Sequence, residues 1–174
     1  APSGPAAPGG GDAPAASGPV QPKVNRVVMA VPAPQTEYNE PRLGSQPAAW
    51  HLGGMHEYLI GVDAENGKLV PHLATEWKLE PDGTSFRFQL RKGVQFHRNA
   101  GEFTAKDVVF THQNFIQPDS THGEIRYWRD LVKEIRVIGD YEVVLPLTRP
   151  DGDFLNAIAR QQGDIFPILS KADF

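Results

Sequence analysis

The stretch from Trp77 to Leu90 limits the fold more tightly than any other part of the chain. Trp77 and Leu79 precede Pro81-Asp82-Gly83, and Phe86, Phe88 and Leu90 follow at every second position. A period of two puts those apolar side chains on one face of a strand pair and Arg87 and Gln89 on the other, and Pro-Asp-Gly supplies the turn. A second hairpin reads from Ile135 and Val137 through Gly139-Asp140 to Tyr141, Val143 and Leu145, with Pro146 marking an edge or the strand end. Between the hairpins, Thr104 can cap a helix in which Asp107 sits near the positive end of the dipole and Val108, His112 and Phe115 share one face. That helix is expected to reach about Ile116 and to stop before Pro118. The pattern predicts a mixed α+β fold of the α/β class.

The flanking segments are read less directly. Asn25 to Val31 (NRVVMAV) predicts a short buried strand that ends at Pro32 and Pro34. From Ser45 to Ile60, Trp50, Leu52, Met55, Leu59 and Ile60 fall near helical spacing and predict a helix weakened by Gly53-Gly54. The chain then leaves through Ile60-Gly61-Val62-Asp63 into a turn at Glu65-Asn66-Gly67. A last helix is predicted from Asp153 to Arg160, followed by a strand or extended piece at Ile165 to Ile168. No internal repeat is present.

Composition adds exclusions. With 174 residues, 40% of them hydrophobic and 22% charged, the chain can bury a core of ordinary size. Of the 17 Gly and 16 Pro, 5 and 6 fall in residues 1–22, an Ala/Pro/Gly/Ser tract that buries too little to offset the entropy of ordering it. This tract is read as a disordered tether, either a spacer or an incidental tail, with the folded part at 23–174. A net charge of −4 with scattered Lys and Arg leaves no basic stripe, so nucleic acid is not an expected partner. No apolar run has the roughly 20 residues of a spanning helix. The absence of cysteine excludes disulfides, thiolate zinc sites and cysteine nucleophiles. The start at Ala1 rather than Met suits a processed or cut chain, with an upstream signal or lipid anchor left open.

The chemistry-bearing residues favour recognition over catalysis. His51 and His56 are five apart and miss the spacing that puts two ligands on one helical face, so no metal site is expected. No serine-hydrolase, zinc-protease, P-loop or paired-carboxylate signature occurs, and no enzyme activity or cofactor is expected. His112 reads as a histidine at the edge of the core and His97 as a hairpin-end residue. Two aromatic clusters remain: Trp50-His51, and the group His122, Arg126, Tyr127 and Trp128. Arg126 beside Trp128 would offer a carboxylate-binding fork next to a flat apolar wall, suited to an amino acid, peptide or chelated ion. The alternative makes Tyr127 and Trp128 core anchors of a helix and leaves Arg126 in solvent.

Several motifs resemble one family. Glu57-Tyr58-Leu59, the Pro71 to Trp77 run, the Asp82-Gly83 turn, the strand from Phe86 to His97 and the stretch Phe103 to Val108 are similar to the extracytoplasmic solute-binding proteins of peptide, nickel and oligosaccharide ABC importers, family 5. The later hairpin and the stretch from Arg149-Pro150 to Phe154-Leu155 extend the resemblance over about residues 24 to 174. Two departures stand out. Arg98-Asn99-Ala100-Gly101-Glu102 replaces the usual Asp-Gly turn, and the family's members are several times longer. The resemblance therefore implies the N-terminal part of lobe one of a two-lobed, periplasmic-binding-protein-like (type II) clamp, which supplies one wall of a ligand site. It implies a monomeric substrate-capture protein, periplasmic or extracytoplasmic and in one reading membrane-tethered, which takes a peptide or small solute and works with ABC permease subunits. By position, the ligand contacts it implies are Pro32, Ala33, Pro34, Trp50, His122, Arg126 and Trp128. Trp77, Phe86, Phe88, Phe96 and Val108 are read as core. The alternatives are a nickel-type or oligosaccharide-binding member, or a folded product without binding activity.

Deleting residues 1–22 is expected to leave the thermal melting curve of the chain unchanged, and a loss of several degrees would show that the tract packs on the domain.

Overall fold

The computed structural model describes Val28, residues 40–43, 55–159 and 166–173. Apart from Val28, which is exposed, all of them belong to one compact unit, Val31–Phe174. The tether and the rest of the strand expected at 25–31 lie outside the described residues.

Six strands and three α-helices make up this part of the chain. β1 (Ile60–Val62) pairs antiparallel with β2 (Leu69–Pro71). β3 (Ala74–Leu79), β4 (Ser85–Leu90), β5 (Arg136–Gly139) and β6 (Glu142–Pro146) form an antiparallel sheet in the order β3-β4-β6-β5. The helices are α1 (Ala105–Phe115), α2 (Ile125–Leu131) and α3 (Phe154–Ile158). This is the mixed α/β class expected.

Both hairpins form where the alternation placed them. In β3-β4, Trp77 stands opposite Phe88 and Leu79 opposite Phe86. Asp82 organises the turn: Oδ1 accepts the amides of Thr84 (2.9 Å) and Ser85 (2.8 Å), and Oδ2 accepts the Ser85 hydroxyl (2.6 Å). Gly83 adopts φ 71°, a left-handed conformation that costs glycine nothing. On the inner face Phe86, Phe88, Leu90, Val143 and Leu145 are buried. Trp77 and Phe96 are half-buried and pack against the same core. On the outer face Arg87 bridges Glu80 (2.7 Å) and Glu142, and its hydrogen bonds hold both carboxyls below the usual glutamate range. Pro146 ends β6, where a missing N–H does least harm.

α1 also matches its expected limits. Thr104 donates its N–H (2.9 Å) and its hydroxyl (3.1 Å) to Asp107 Oδ2, so the first turn is closed by the residue three positions on. Val108, His112 and Phe115 are all buried along one face. Asp107 and Thr111 extend that buried stripe with polar groups, and both have partners. Asp107 Oδ1 accepts the Lys171 amide (3.0 Å), and Thr111 Oγ1 accepts the Leu169 amide (2.9 Å). These bonds, with Ile168 N–H to Glu57 O (2.9 Å), seat residues 166–170 as buried chain without a regular strand.

Two expectations need correction. Residues 55–60 are not helical: Tyr58, Leu59 and Ile60 are buried in succession, which a one-sided helix cannot do. Their carbonyls accept instead, with Leu73 N–H bonded to Tyr58 O (3.0 Å) and Ala74 N–H to Leu59 O (2.8 Å). The Glu65-Asn66-Gly67 turn closes the β1-β2 hairpin, with the Asp63 amide bonded to Lys68 O (2.8 Å). The last helix is shorter than the predicted 153–160, because Ala159 turns extended (φ −80°, ψ 149°). The remodelled turn after Phe96 is tight. Arg98 and Asn99 both have positive φ (54° and 59°), and the Ala100 amide closes on His97 O (3.2 Å).

Phe88→Ala, at a position with 0% exposure between β3 and β6, is expected to lower the free energy of unfolding by about 3–5 kcal/mol in urea denaturation. A loss below about 1 kcal/mol would refute this register.

Candidate functional site

The residues expected to meet a ligand divide into those the structure describes and those it does not. Pro32, Ala33, Pro34 and Trp50 lie outside the described residues. His122, Arg126 and Trp128 lie on the loop after α1 and on α2.

Short polar contacts hold that region in place. Arg42 sits in a 3-10 turn, Pro41–Leu43, and its carbonyl accepts from Ser120 Oγ (3.0 Å), Thr121 N–H (3.0 Å) and His122 N–H (3.1 Å). Its guanidinium bridges Glu40 (2.7 Å) and Asp119 (2.6 Å) and holds the Asp119 carboxyl below its usual range. From α2, Arg129 donates to Ile116 O (3.2 Å) and to Gln117 O, satisfying carbonyls at the C-terminal end of α1. The structure thus brings a turn some eighty residues upstream against the backbone of His122.

His122 is half-buried, with its ring centroid 5.0 Å from that of Phe115 and its Nδ1 accepting the Glu124 amide (3.2 Å). Arg126 is exposed on α2. Tyr127 is half-buried and donates its hydroxyl to Asp151 Oδ2 (3.2 Å). Burial first, and the Asp151 charge next, push that hydroxyl up to about 12.

Trp128 requires a correction. It is 0% exposed, stacked on Phe166 (4.6 Å, 23°) and on Phe154 (6.2 Å, 28°), and edge-on to Phe115 (6.1 Å, 88°). Its indole N–H donates to His112 Nδ1 (2.8 Å). No face of the ring is left for a ligand in this arrangement. The imagined fork beside a flat wall fails for a geometric reason. Arg126 and Trp128 are two residues apart in one helix, and side chains at that separation do not share a face. The core-anchor alternative describes Trp128, while Arg126 and His122 keep accessible positions.

Sequence reasoning gave α2 only as the alternative, a helix anchored by Tyr127 and Trp128, and no bounds for it. The signal was available, because Ile125, Trp128, Leu131 and Val132 follow helical spacing. It also missed a second concave feature, a cleft of about 160 Å³ lined chiefly by Met55, Leu73, Val94, Phe96, Phe103 and Ile168, with His56, His97 and Asp173 among its polar groups. Among the described residues no three His, Cys, Asp or Glu side chains stand together as a metal site, and no helix is long and apolar enough to cross a membrane.

The described residues thus form an antiparallel sheet of two hairpins packed with short helices, with His122 half-buried on a loop and Arg126 exposed on α2. The dipeptide-binding protein of Pseudoalteromonas sp. SM9913, solved with Met-Leu, superposes with a TM-score of 0.65 at 29% identity, over 76% of this chain and 29% of that one. Residues 68–173, more than half of the chain, match the family described as bacterial extracellular solute-binding proteins, family 5 Middle, and the chain belongs to this family. Among curated relatives, the probable di/tripeptide-binding protein 5 of Pseudomonas aeruginosa (strain UCBPP-PA14) is 32% identical over 123 residues, 62% of this chain and 23% of that protein. NikA from Brucella suis, solved with Fe(III)-EDTA, superposes with a TM-score of 0.68 at 25% identity over 78% of this chain and 26% of that one. The first two of these relatives are named as peptide-binding proteins. The chain spans about a quarter of the length of the curated relatives it matches.

Trp128→Ala is expected to cost about 3–5 kcal/mol of stability, since it empties a stacked site and leaves His112 without its donor. Arg126→Ala should leave the urea midpoint essentially unmoved, because the side chain is exposed. Equal losses in the two variants would overturn this division of α2.

Proposed function

We propose that the chain is part of the substrate-capture component of an ABC importer, taking peptides or similar small solutes outside the cytoplasm and passing them to permease subunits. The observation that carries this reading is the family match over 68–173, together with relatives that bind di- and tripeptides. The chain contributes one wall of a two-lobed clamp. On that wall Arg126 offers a guanidinium whose planar fork suits a carboxylate, and His122 offers an imidazole edge beside it along the chain. Pro32 to Pro34 and Trp50 complete the wall in this reading, and Trp128 supports it from beneath rather than touching the solute.

A second reading has its own support. The superposition with a protein holding Fe(III)-EDTA makes a chelated metal an alternative solute. A chelate presents carboxylates, so the same guanidinium would meet it without direct protein-metal bonds. Residues 1–22 act as a spacer in either case, holding a monomeric clamp away from a membrane surface if an anchor precedes them.

In a protein extended to the length of its relatives, Arg126→Ala should weaken binding of Met-Leu by about tenfold or more in isothermal calorimetry, from loss of a charge-assisted hydrogen bond. The 174-residue chain alone should show no saturable Met-Leu binding tighter than about millimolar, because one wall buries too little of the ligand to offset its lost freedom. Micromolar binding by the short chain would refute the one-wall reading, and an unchanged affinity in Arg126→Ala would remove that residue from the site.

A further inference from the structure

The bond between α1 and α2 joins a donor that cannot change to an acceptor that can. Trp128 Nε1 has one proton to give, and His112 Nδ1 receives it at 2.8 Å. The neutral imidazole then carries its own proton on Nε2, which lies 3.4 Å from Lys133 O. His112 is 3% exposed and Trp128 0%, so the pair is shielded from bulk water while it is closed. An imidazolium has two N–H donors and no acceptor. Its Nδ1–H would point at the indole N–H across the same 2.8 Å, and one ring would have to leave.

We propose that His112 is a proton-operated positioning residue for the helix that carries Arg126. Uptake of a proton from solvent at Nδ1 breaks the Trp128 bond and loosens α2 from α1. The effect on a ligand rests on the proposed role of Arg126, whereas the joint rests on the rings themselves.

The groups on the surrounding elements leave the imidazole without a counter-charge. On α1, Asp107 is held by Thr104 and the Lys171 amide. On α2, Arg129 is held by the carbonyls of Ile116 and Gln117, and Asp130 is exposed. On the run into β5, Lys133 is exposed and Glu134 pairs with Arg136 (2.6 Å). In the loop before α2, Glu124 is exposed and the His122 ring lies against Phe115. Lys171, on the segment bonded to α1, is exposed as well. Burial therefore dominates and holds the imidazole below the ordinary histidine value, with the Lys133 carbonyl only partly opposing it. The unfolded chain takes up the proton more readily than the folded one. Stability from this joint is therefore full above about pH 6.5 and is lost as pH falls below it. A protein outside the cytoplasm meets the pH of its surroundings directly.

The test uses the three tryptophans of the 174-residue chain as reporters. In a ¹⁵N-tryptophan spectrum, the indole signal missing from Trp128→Phe belongs to Trp128. It should shift in one step with a midpoint below about pH 6.5 in the parent chain, and stay fixed in His112→Asn, whose amide oxygen keeps an acceptor near the Nδ1 position. A signal that does not move between pH 8 and pH 5, or that moves equally in His112→Asn, overturns the proposal. Should His112→Asn not fold, ¹⁵N-histidine spectra of the parent decide the matter, since one imidazole must titrate with the Trp128 midpoint, and no coinciding step overturns the joint. In the extended protein, Met-Leu affinity should fall about tenfold between pH 7.5 and 5.5 in the parent and less in His112→Asn. Constant affinity beside an intact Trp128 step overturns the coupling to the site. No Met-Leu binding at pH 7.5 beside that step overturns the peptide reading and leaves the joint standing.

Discussion

The fold turns on a single buried donor. An indole N–H taken out of water without a partner costs about 1–3 kcal/mol, and Trp128 avoids that cost only because His112 stands opposite it on α1. The same ring stacks on Phe154 from α3 and on Phe166 from the buried run before Leu169, and meets Phe115 edge-on. Four separate pieces of chain thus meet on one side chain. Their mutual placement is set by aromatic packing, which is tolerant, and by one hydrogen bond, which is not.

Around this centre, loops are fixed by side chains that satisfy backbone groups. Asp107 and Thr111 are polar residues on a buried helical stripe, a pattern that would be costly if they faced apolar groups. They instead receive the amides of Lys171 and Leu169, so the chain after Phe166 has one path past α1. Arg42 and Arg129 work in a related way at the other end of α1. One gathers three donors on its own carbonyl, and the other gives its guanidinium to two carbonyls left over by the helix. The loop with His122 is therefore held by backbone bonds at both ends, and the exposed position of Arg126 is inherited from a rigid frame.

How much of this could be read in the sequence varied with the range of the interactions involved. The β3-β4 and β5-β6 hairpins and α1 are governed by neighbours within about ten residues: alternation, turn chemistry and a capping pair such as Thr104 and Asp107. All three lie where the sequence puts them. Residues 55–60 were misread because Met55, Leu59 and Ile60 look helical in isolation, while the partners that draw Tyr58 and Leu59 into extended pairing, Leu73 and Ala74, lie some fifteen residues away. The site was harder still. Arg126 and Trp128 are adjacent in any list of chemically interesting residues, and only the recognition of α2 as a helix shows that they face apart.

That separation makes α2 a useful division of labour. One face carries Trp128 and Leu131 and is wholly committed to the core, so any change there is felt as lost stability before anything else. The other carries Arg126, which is exposed and makes little demand on the fold. The two faces nonetheless share one backbone. In the proposed joint, a change in the Trp128–His112 bond reaches Arg126 through that backbone.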